Sequence, residues 1–386
     1  MMHTKSRLVP VVLAALVLAA CGSPEPAHTV SPVQTPTTRA TEPATPTPTL
    51  PPTATPEPTE ADSVVTPTLL RYVTSTPIPA SQMRGEWRRI TTADGLCTDW
   101  PVFIGVWYIG TGTTTVCYST KPVDETTWPT RTVPLGTRVT AVDKFPPGGG
   151  EMYATDAGVC WYNGYGWECQ TLVEGYPYED IRRIDHIVAD PVLMLADAVA
   201  YHKEVYSIPE IVGIGDARPT WIAVSGEMPY GLVPEIWVGT SGYGIVVIQP
   251  DTGAMVRHTA SEGLPGNLIR DISAESCPKY CDFRDVWVAT DNGVGHWDGQ
   301  RWIAYTTADG LPSNDVRGVA SSQKDTVWAA TGNGAAYFDG QSWRSFTHAD
   351  GLPEGDLSGV KFGEGGIWFS TRGNGLLVFA IQAPTQ

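Results

Sequence analysis

Basic residues are scarce: 25 Lys and Arg stand against 41 Asp and Glu, a formal net charge of −16. A nucleic acid or an anionic membrane surface calls for a basic footprint, so neither is expected as a partner. The apolar run at the N-terminus, Leu8 to Ala20, falls short of the roughly 20 residues a transmembrane helix needs. Clustered chemistry is lacking too. His186, His202, His258, His296 and His348 stand singly, with no metal-ligand spacing among them. No catalytic constellation is expected, nor a metal, nor a cofactor.

What is there begins with an export signal. Lys5 and Arg7 precede the apolar run, which ends in Leu18-Ala19-Ala20-Cys21. Small residues before a cysteine resemble the lipobox of bacterial lipoproteins, which implies acylation of Cys21 and anchoring by the acyl chains. Residues 1–20 are therefore expected to be a lipoprotein signal peptide. Residues 21–84 are dominated by Pro and Thr, as in Pro43-Ala44-Thr45-Pro46-Thr47-Pro48. Such a segment has no core to bury and is expected to be a disordered tether. At ~3.1 Å per residue in polyproline form it reaches roughly 200 Å. The first 84 residues hold five acids and five bases, so the whole charge imbalance falls on the remainder.

Seven cysteines comprise Cys21 and six others. An exported protein meets an oxidising compartment, so disulfides are expected. Cys160 and Cys169 flank the turn Asn163-Gly164-Tyr165-Gly166, and counting outward sets them opposite each other on a hairpin. Cys277 with Cys281 follows as a second pair, the zinc alternative lacking a further Cys or His pair. Cys97 with Cys117 is left by elimination.

From about residue 85 to 382 the chain repeats at about forty residues. One unit reads Glu262-Gly263-Leu264-Pro265, Ile269-Arg270-Asp271-Ile272, Val286-Trp287-Val288-Ala289-Thr290, His296-Trp297-Asp298-Gly299 and Trp302-Ile303-Ala304-Tyr305. The next, from Asp309-Gly310-Leu311-Pro312 to Trp343-Arg344-Ser345-Phe346, is nearly superposable. Each holds four β-branched and aromatic runs parted by turn residues, hence four strands. Trp107, Tyr153, Trp237, Trp287, Trp328 and Trp368 mark the second strands. A degenerate unit between Tyr153 and Trp237 is expected to place strands over 193–197 and 199–202. Seven four-stranded units predict an all-β, seven-bladed β-propeller. The last unit lacks its Trp-led fourth strand, and Glu86-Trp87-Arg88-Arg89-Ile90 supplies one, so the N-terminal strand is expected to complete the last blade and close the ring.

These residues resemble the propeller repeat of the sensor regions of hybrid two-component regulators: Gly-Leu-Pro, a short strand, an aliphatic-Trp-aliphatic strand, and a Gly before an aromatic-Asp-Gly turn. The resemblance runs from residue 86 to 379 and is strongest in the last four units. It implies an extracytoplasmic ligand sensor. The membrane span and kinase that follow the propeller in that family are not expected here, so the resemblance is taken to carry only the recognition module.

Asp94, Asp309, Asp350, Glu174 and Glu262 recur at the turn before Leu or Tyr, where a carboxylate serves the turn itself by accepting loop hydrogen bonds. Arg182, Arg270 and Arg317 share one repeat position, at the start of the innermost strand. Pairing of each with an acid of the neighbouring turn is the favoured reading, and a candidate anion patch formed by the three is the alternative. Longer segments lie in units four and five, Gly215–Glu235 with Trp221, Met228 and Tyr230, and Ser273–Asp285 with the Cys277/Cys281 pair. Both are candidate partner-binding loops. A monomeric, lipid-anchored module on the extracytoplasmic face is expected, recognising a small molecule, glycan or protein. An extracytoplasmic lyase or hydrolase using the central channel, and a structural scaffold of an envelope complex, are the alternatives.

Overall fold

The computed structural model describes residues 77–104, 108–118, 128–144, 150–173, 176–177, 181–187, 190–202, 204–225, 234–275, 285–322, 326–363 and 366–382. The chain divides into two units, 1–70 and 71–386, and all described residues belong to the second. They form seven four-stranded antiparallel sheets and one two-stranded hairpin, a seven-bladed β-propeller. Cys21, Trp107, Met228, Tyr230, Cys277, Cys281 and Glu174 lie outside the described residues.

The innermost strands of blades one to seven are Phe103–Ile104, Val139–Lys144, Arg183–Ile187, Pro219–Ser225, Ile269–Glu275, Val316–Ser321 and Leu357–Gly363. Blade seven borrows its outermost strand. Gly85–Ile90 pairs antiparallel with Leu376–Ile381, Gly85 opposite Ile381 and Ile90 opposite Leu376. Trp87 locks this seam, its ring centroid 4.7, 5.5 and 5.9 Å from those of Phe379, Phe369 and Phe346. The segment before it is held too: Ala80 N donates to Asp339 Oδ2 at 2.6 Å and the Tyr337 hydroxyl to Ile78 O at 2.8 Å.

A threonine sets the register of most second strands. Thr155, Thr240, Thr290, Thr331 and Thr371 each donate to a carbonyl across the turn, at 2.7–2.9 Å. Thr111 does the same in blade one. In blades two, five and six the turn ends in a glycine at positive φ, and at Gly334 (φ 131°) a Cβ would lie 2.4 Å from Phe346 O. Counting three residues back from each threonine gives Tyr108, Met152, Trp237, Trp287, Trp328 and Trp368. In blade three Leu195 takes the threonine's place, and the count lands on Val192. Each of these seven residues packs in a separate hydrophobic cluster against the next blade.

Two expectations are corrected by this count. Tyr153 lies one residue beyond the interface position, so the two-residue alternation of a strand turns it to the opposite face, beside Tyr108. There it joins Arg131 and Glu151 in a half-buried hydrogen-bonded group, and the Arg131 guanidinium also covers the Tyr162 ring at 3.9 Å. Blade three places its middle strands at Asp190–Met194 and Ala198–Tyr201, about three residues earlier than expected for the first of them, because no aromatic marks the position that Val192 fills.

The repeated acids serve turns. Asp94, Glu262, Asp309 and Asp350 accept from the backbone N–H of Thr91, Thr259, Thr306 and Thr347 at 2.8–3.0 Å, each closing a capping box on a 3-10 turn. Two disulfides are present. Cys160 faces Cys169 in register on the blade-two hairpin, and Cys97 is bonded to Cys117.

Candidate functional site

The innermost strands enclose a central cavity of about 520 Å³, a size that accommodates a small-molecule ligand. In five blades the innermost strand opens with a register shift that leaves one residue out of the pairing: Thr140, Thr220, Arg270, Arg317 and Ser358. A bulge of this kind re-aims the side chains on either side. Trp221 and Asp271, each directly after such a residue, line the cavity.

Arg270 and Arg317, both candidates from the sequence, line the mouth of the cavity. Arg270 pairs with Asp315, which also holds Arg317 at 2.7 Å, and Arg317 pairs in turn with Asp356. The two guanidiniums also donate to Val316 O and Leu357 O, so the chain Arg270–Asp315–Arg317–Asp356 straps blades five, six and seven. Burial raises the Asp315 carboxyl, but the hydrogen bonds and charges of Arg270 and Arg317 outweigh it and hold the group below the usual carboxylate range. For Arg270 and Arg317 this is the neighbouring-turn pairing that the sequence favours over an anion patch. Arg182 is exposed and does not line the cavity; its neighbour Arg183 does.

Trp221 is not in a loop. Pro209 opens the short helix Ile208–Val212 and Gly213 ends it in the left-handed conformation, and Pro219–Ser225 then forms blade four's innermost strand. Gly215 and Pro219 read as breakers in sequence, yet they precede an apolar, β-branched strand. Trp221 therefore faces the channel, where the Arg183 guanidinium covers its ring at 3.1 Å and Lys361 Nζ lies 5.6 Å from the ring centre. Burial pushes Arg183 down to about 10, against the pull of Asp271.

Asp271 is 2 % exposed. Its Oδ2 accepts from Val319 N at 3.1 Å, while among the described residues Oδ1 has no partner within hydrogen-bond distance. Burial raises the carboxyl, and the charges of Lys361 and Arg183, with the backbone N–H groups of Val319 and Ile272, oppose the rise. At the mouth, Arg372 stands beside Trp100, which is 67 % exposed. Gly373, with φ of 94°, lets the indole lie close: a Cβ there would sit 2.5 Å from its Cζ2. Five bases (Arg183, Arg270, Arg317, Lys361, Arg372) and two acids (Asp185, Asp271) line the cavity. The chain is acidic and its channel is basic.

A second group converges on adjacent blades. Asp143, Asp185 and His186 bring three ligand-type atoms within 4.8 Å of one another, an oxygen and nitrogen set that suits a divalent cation. As they stand the atoms are engaged with each other and with backbone. His186 Nδ1 lies 2.6 Å from Asp143 Oδ2, and Asp185 accepts from His186 N and Val224 N at 2.8 Å each. Burial, and then the Asp143 charge, push the Asp185 carboxyl up to about 7.

A stability consequence follows. A carboxyl raised in the folded state binds its proton more tightly there than in the unfolded chain, so between about pH 4 and 7 stability falls as pH rises. Replacing Asp143 with Asn removes the repelling charge and lowers the Asp185 value. Melting curves across pH 4 to 8 are expected to decline less steeply for Asp143→Asn than for the unaltered protein; equal slopes would contradict the coupling.

Arg183, Asp271, Lys361 and Arg372 were not singled out from sequence. The alternation after the bulge was the available signal for Asp271, which directly follows Arg270. Lys361 and Arg372 belong to no repeated position.

No family model matches this chain, and no curated protein does. Solved structures share its fold. The extracellular domain of a hybrid two-component system protein from B. thetaiotaomicron is 18% identical, with a TM-score of 0.55 over 77% of this chain and 41% of that one. YCF48 bound to a D1 peptide is 15% identical, TM-score 0.54, over 78% and 98%. The extracellular domain of a one-component system protein from B. thetaiotaomicron is 14% identical, TM-score 0.52, over 76% and 40%. This chain spans about two fifths of the length of the two B. thetaiotaomicron domains.

Proposed function

We propose that this protein is an extracytoplasmic recognition module, tethered to a membrane through Cys21, whose central channel binds a small anionic ligand. One observation carries the ligand class. Lys361 and Arg372 face the cavity, and neither forms an ion pair among the described residues. Cations on low-dielectric walls focus the field and raise the local concentration of anions. The two disulfides and the likeness in fold to extracellular domains of signalling proteins support the compartment and the sensor-like role.

Thermal shift of the full-length chain against small carboxylates and phosphates tests this, since a bound ligand raises stability by mass action. A Lys361→Ala Arg372→Ala double variant is expected to lose at least about tenfold in affinity for any acid that binds, about 1.4 kcal/mol. Unchanged affinity would contradict the channel site.

A second reading, a channel lyase or hydrolase, is favoured by Asp185, a carboxyl near neutrality beside His186 and Asp143, as a general acid or base would be. Turnover of a bound acid that Asp185→Asn abolishes without weakening binding would favour the enzyme.

A further inference from the structure

The channel reading leaves one atom unexplained. Asp271 is a carboxylate in a cavity lined by five bases and one other acid, Asp185. It is nearly sealed from bulk water, and among the described residues its Oδ1 has no donor within hydrogen-bond distance. Lys361 and Arg183 act on it by charge without hydrogen-bonding it. Arg183, the natural partner, spends its guanidinium on the face of Trp221 instead. Buried carboxylate oxygens are almost always met by a donor. Lys361, whose charge reaches this carboxyl, forms no ion pair among the described residues.

We propose that the channel ligand is a small carboxylic acid carrying an amino or hydroxyl group on the carbon beside the carboxyl. The carboxylate pairs with Lys361 and the adjacent donor bonds Asp271 Oδ1. One ligand group then satisfies the unpaired cation and the other the unpaired oxygen, at the short separation that adjacent carbons impose. An acid without the donor pairs with Lys361 and leaves Oδ1 as it was. The proposal rests on the channel reading and adds to it the chemistry of the second contact.

Three diacids of one carbon skeleton test it: succinate, L-malate and L-aspartate, titrated calorimetrically into the full-length chain. Malate or aspartate is expected to bind at least tenfold more tightly than succinate, and whichever of the two leads identifies the donor as hydroxyl or ammonium. In Asp271→Asn the side-chain oxygen still accepts from Val319 N, but an amide NH2 stands where Oδ1 was and accepts nothing. The preference over succinate is expected to vanish in that variant. Equal affinities for all three in the unaltered protein overturn the proposal whether or not the variant folds, and leave Oδ1 to a water. If succinate binds as well as the others and Lys361→Ala weakens all three alike, the channel reading stands and the Asp271 contact falls. If none of the three binds, the proposed ligand class is wrong.

Discussion

A chain that begins at Thr92 is expected to be recovered unfolded or aggregated, although it keeps 27 of the 28 blade strands. Such a truncation removes the outermost strand of blade seven, with six paired positions along Leu376–Ile381. It removes Trp87 from among Phe346, Phe369 and Phe379, and Met83 and Ile90 from the clusters on either side of blade seven. A large buried side chain is worth about 3 kcal/mol or more and each hydrogen bond about 1 kcal/mol. Their sum rivals the ~5–15 kcal/mol by which a whole domain is stable. The strand left bare, Leu-Leu-Val-Phe-Ala-Ile, is then an open apolar edge that invites pairing with other chains. Gel filtration and far-ultraviolet circular dichroism check this, and a peptide of residues 77–91 added in trans is expected to recover folded monomer. A truncated chain that melts cooperatively near the full-length temperature would show that the ring does not depend on its closing strand.

Trp328→Ala is expected to cost about 4 kcal/mol, and Val192→Ala, at the same register position in blade three, about 2 kcal/mol. Trp328 is 1 % exposed and touches four aromatic rings, those of Tyr337, Phe346, Phe369 and Phe379, at 5.1–5.9 Å between centroids. Val192 meets aliphatic neighbours across the blade three–four boundary, and a small cavity there collapses more readily. Urea denaturation of the two variants measures the difference. Equal losses would mean that the blade interfaces share their load evenly, whatever residue fills the position.

Much of the scaffold was legible because its signals are local and repeated. Trp287 and Trp328 stand three residues before a threonine, Asp298-Gly299 and Asp339-Gly340 mark hairpins, and Trp87 lies in a strand with no sheet before it. The blade three strands were misplaced by about three residues where Val192 replaces the aromatic, since nothing local then distinguishes one apolar residue from the next. Trp221 was read into a loop because Gly215 and Pro219 resemble turn residues, while the strand they precede is decided by its pairing with Glu235–Thr240.

The binding site was harder to read for a different reason. Repeated positions serve the repeat: the turn acids cap their own loops, and Arg270 and Arg317 tie neighbouring blades together. Residues that give a channel its chemistry break the repeat, and each comes from a different blade. Arg183, Trp221, Asp271 and Lys361 are scattered over 179 positions of sequence and meet only when the ring closes. The Asp143 and Asp185–His186 group has the same character, two innermost strands bringing together residues some forty apart.

Hydrogen exchange of the full-length chain, with and without the acid that most raises its melting temperature, tests the channel most directly. Protection is predicted on the innermost strands Arg183–Ile187, Pro219–Ser225, Ile269–Glu275 and Leu357–Gly363, with the outermost strands of the same blades unchanged. Protection confined to the outer strands, or none at saturating ligand, would contradict a ligand held in the channel.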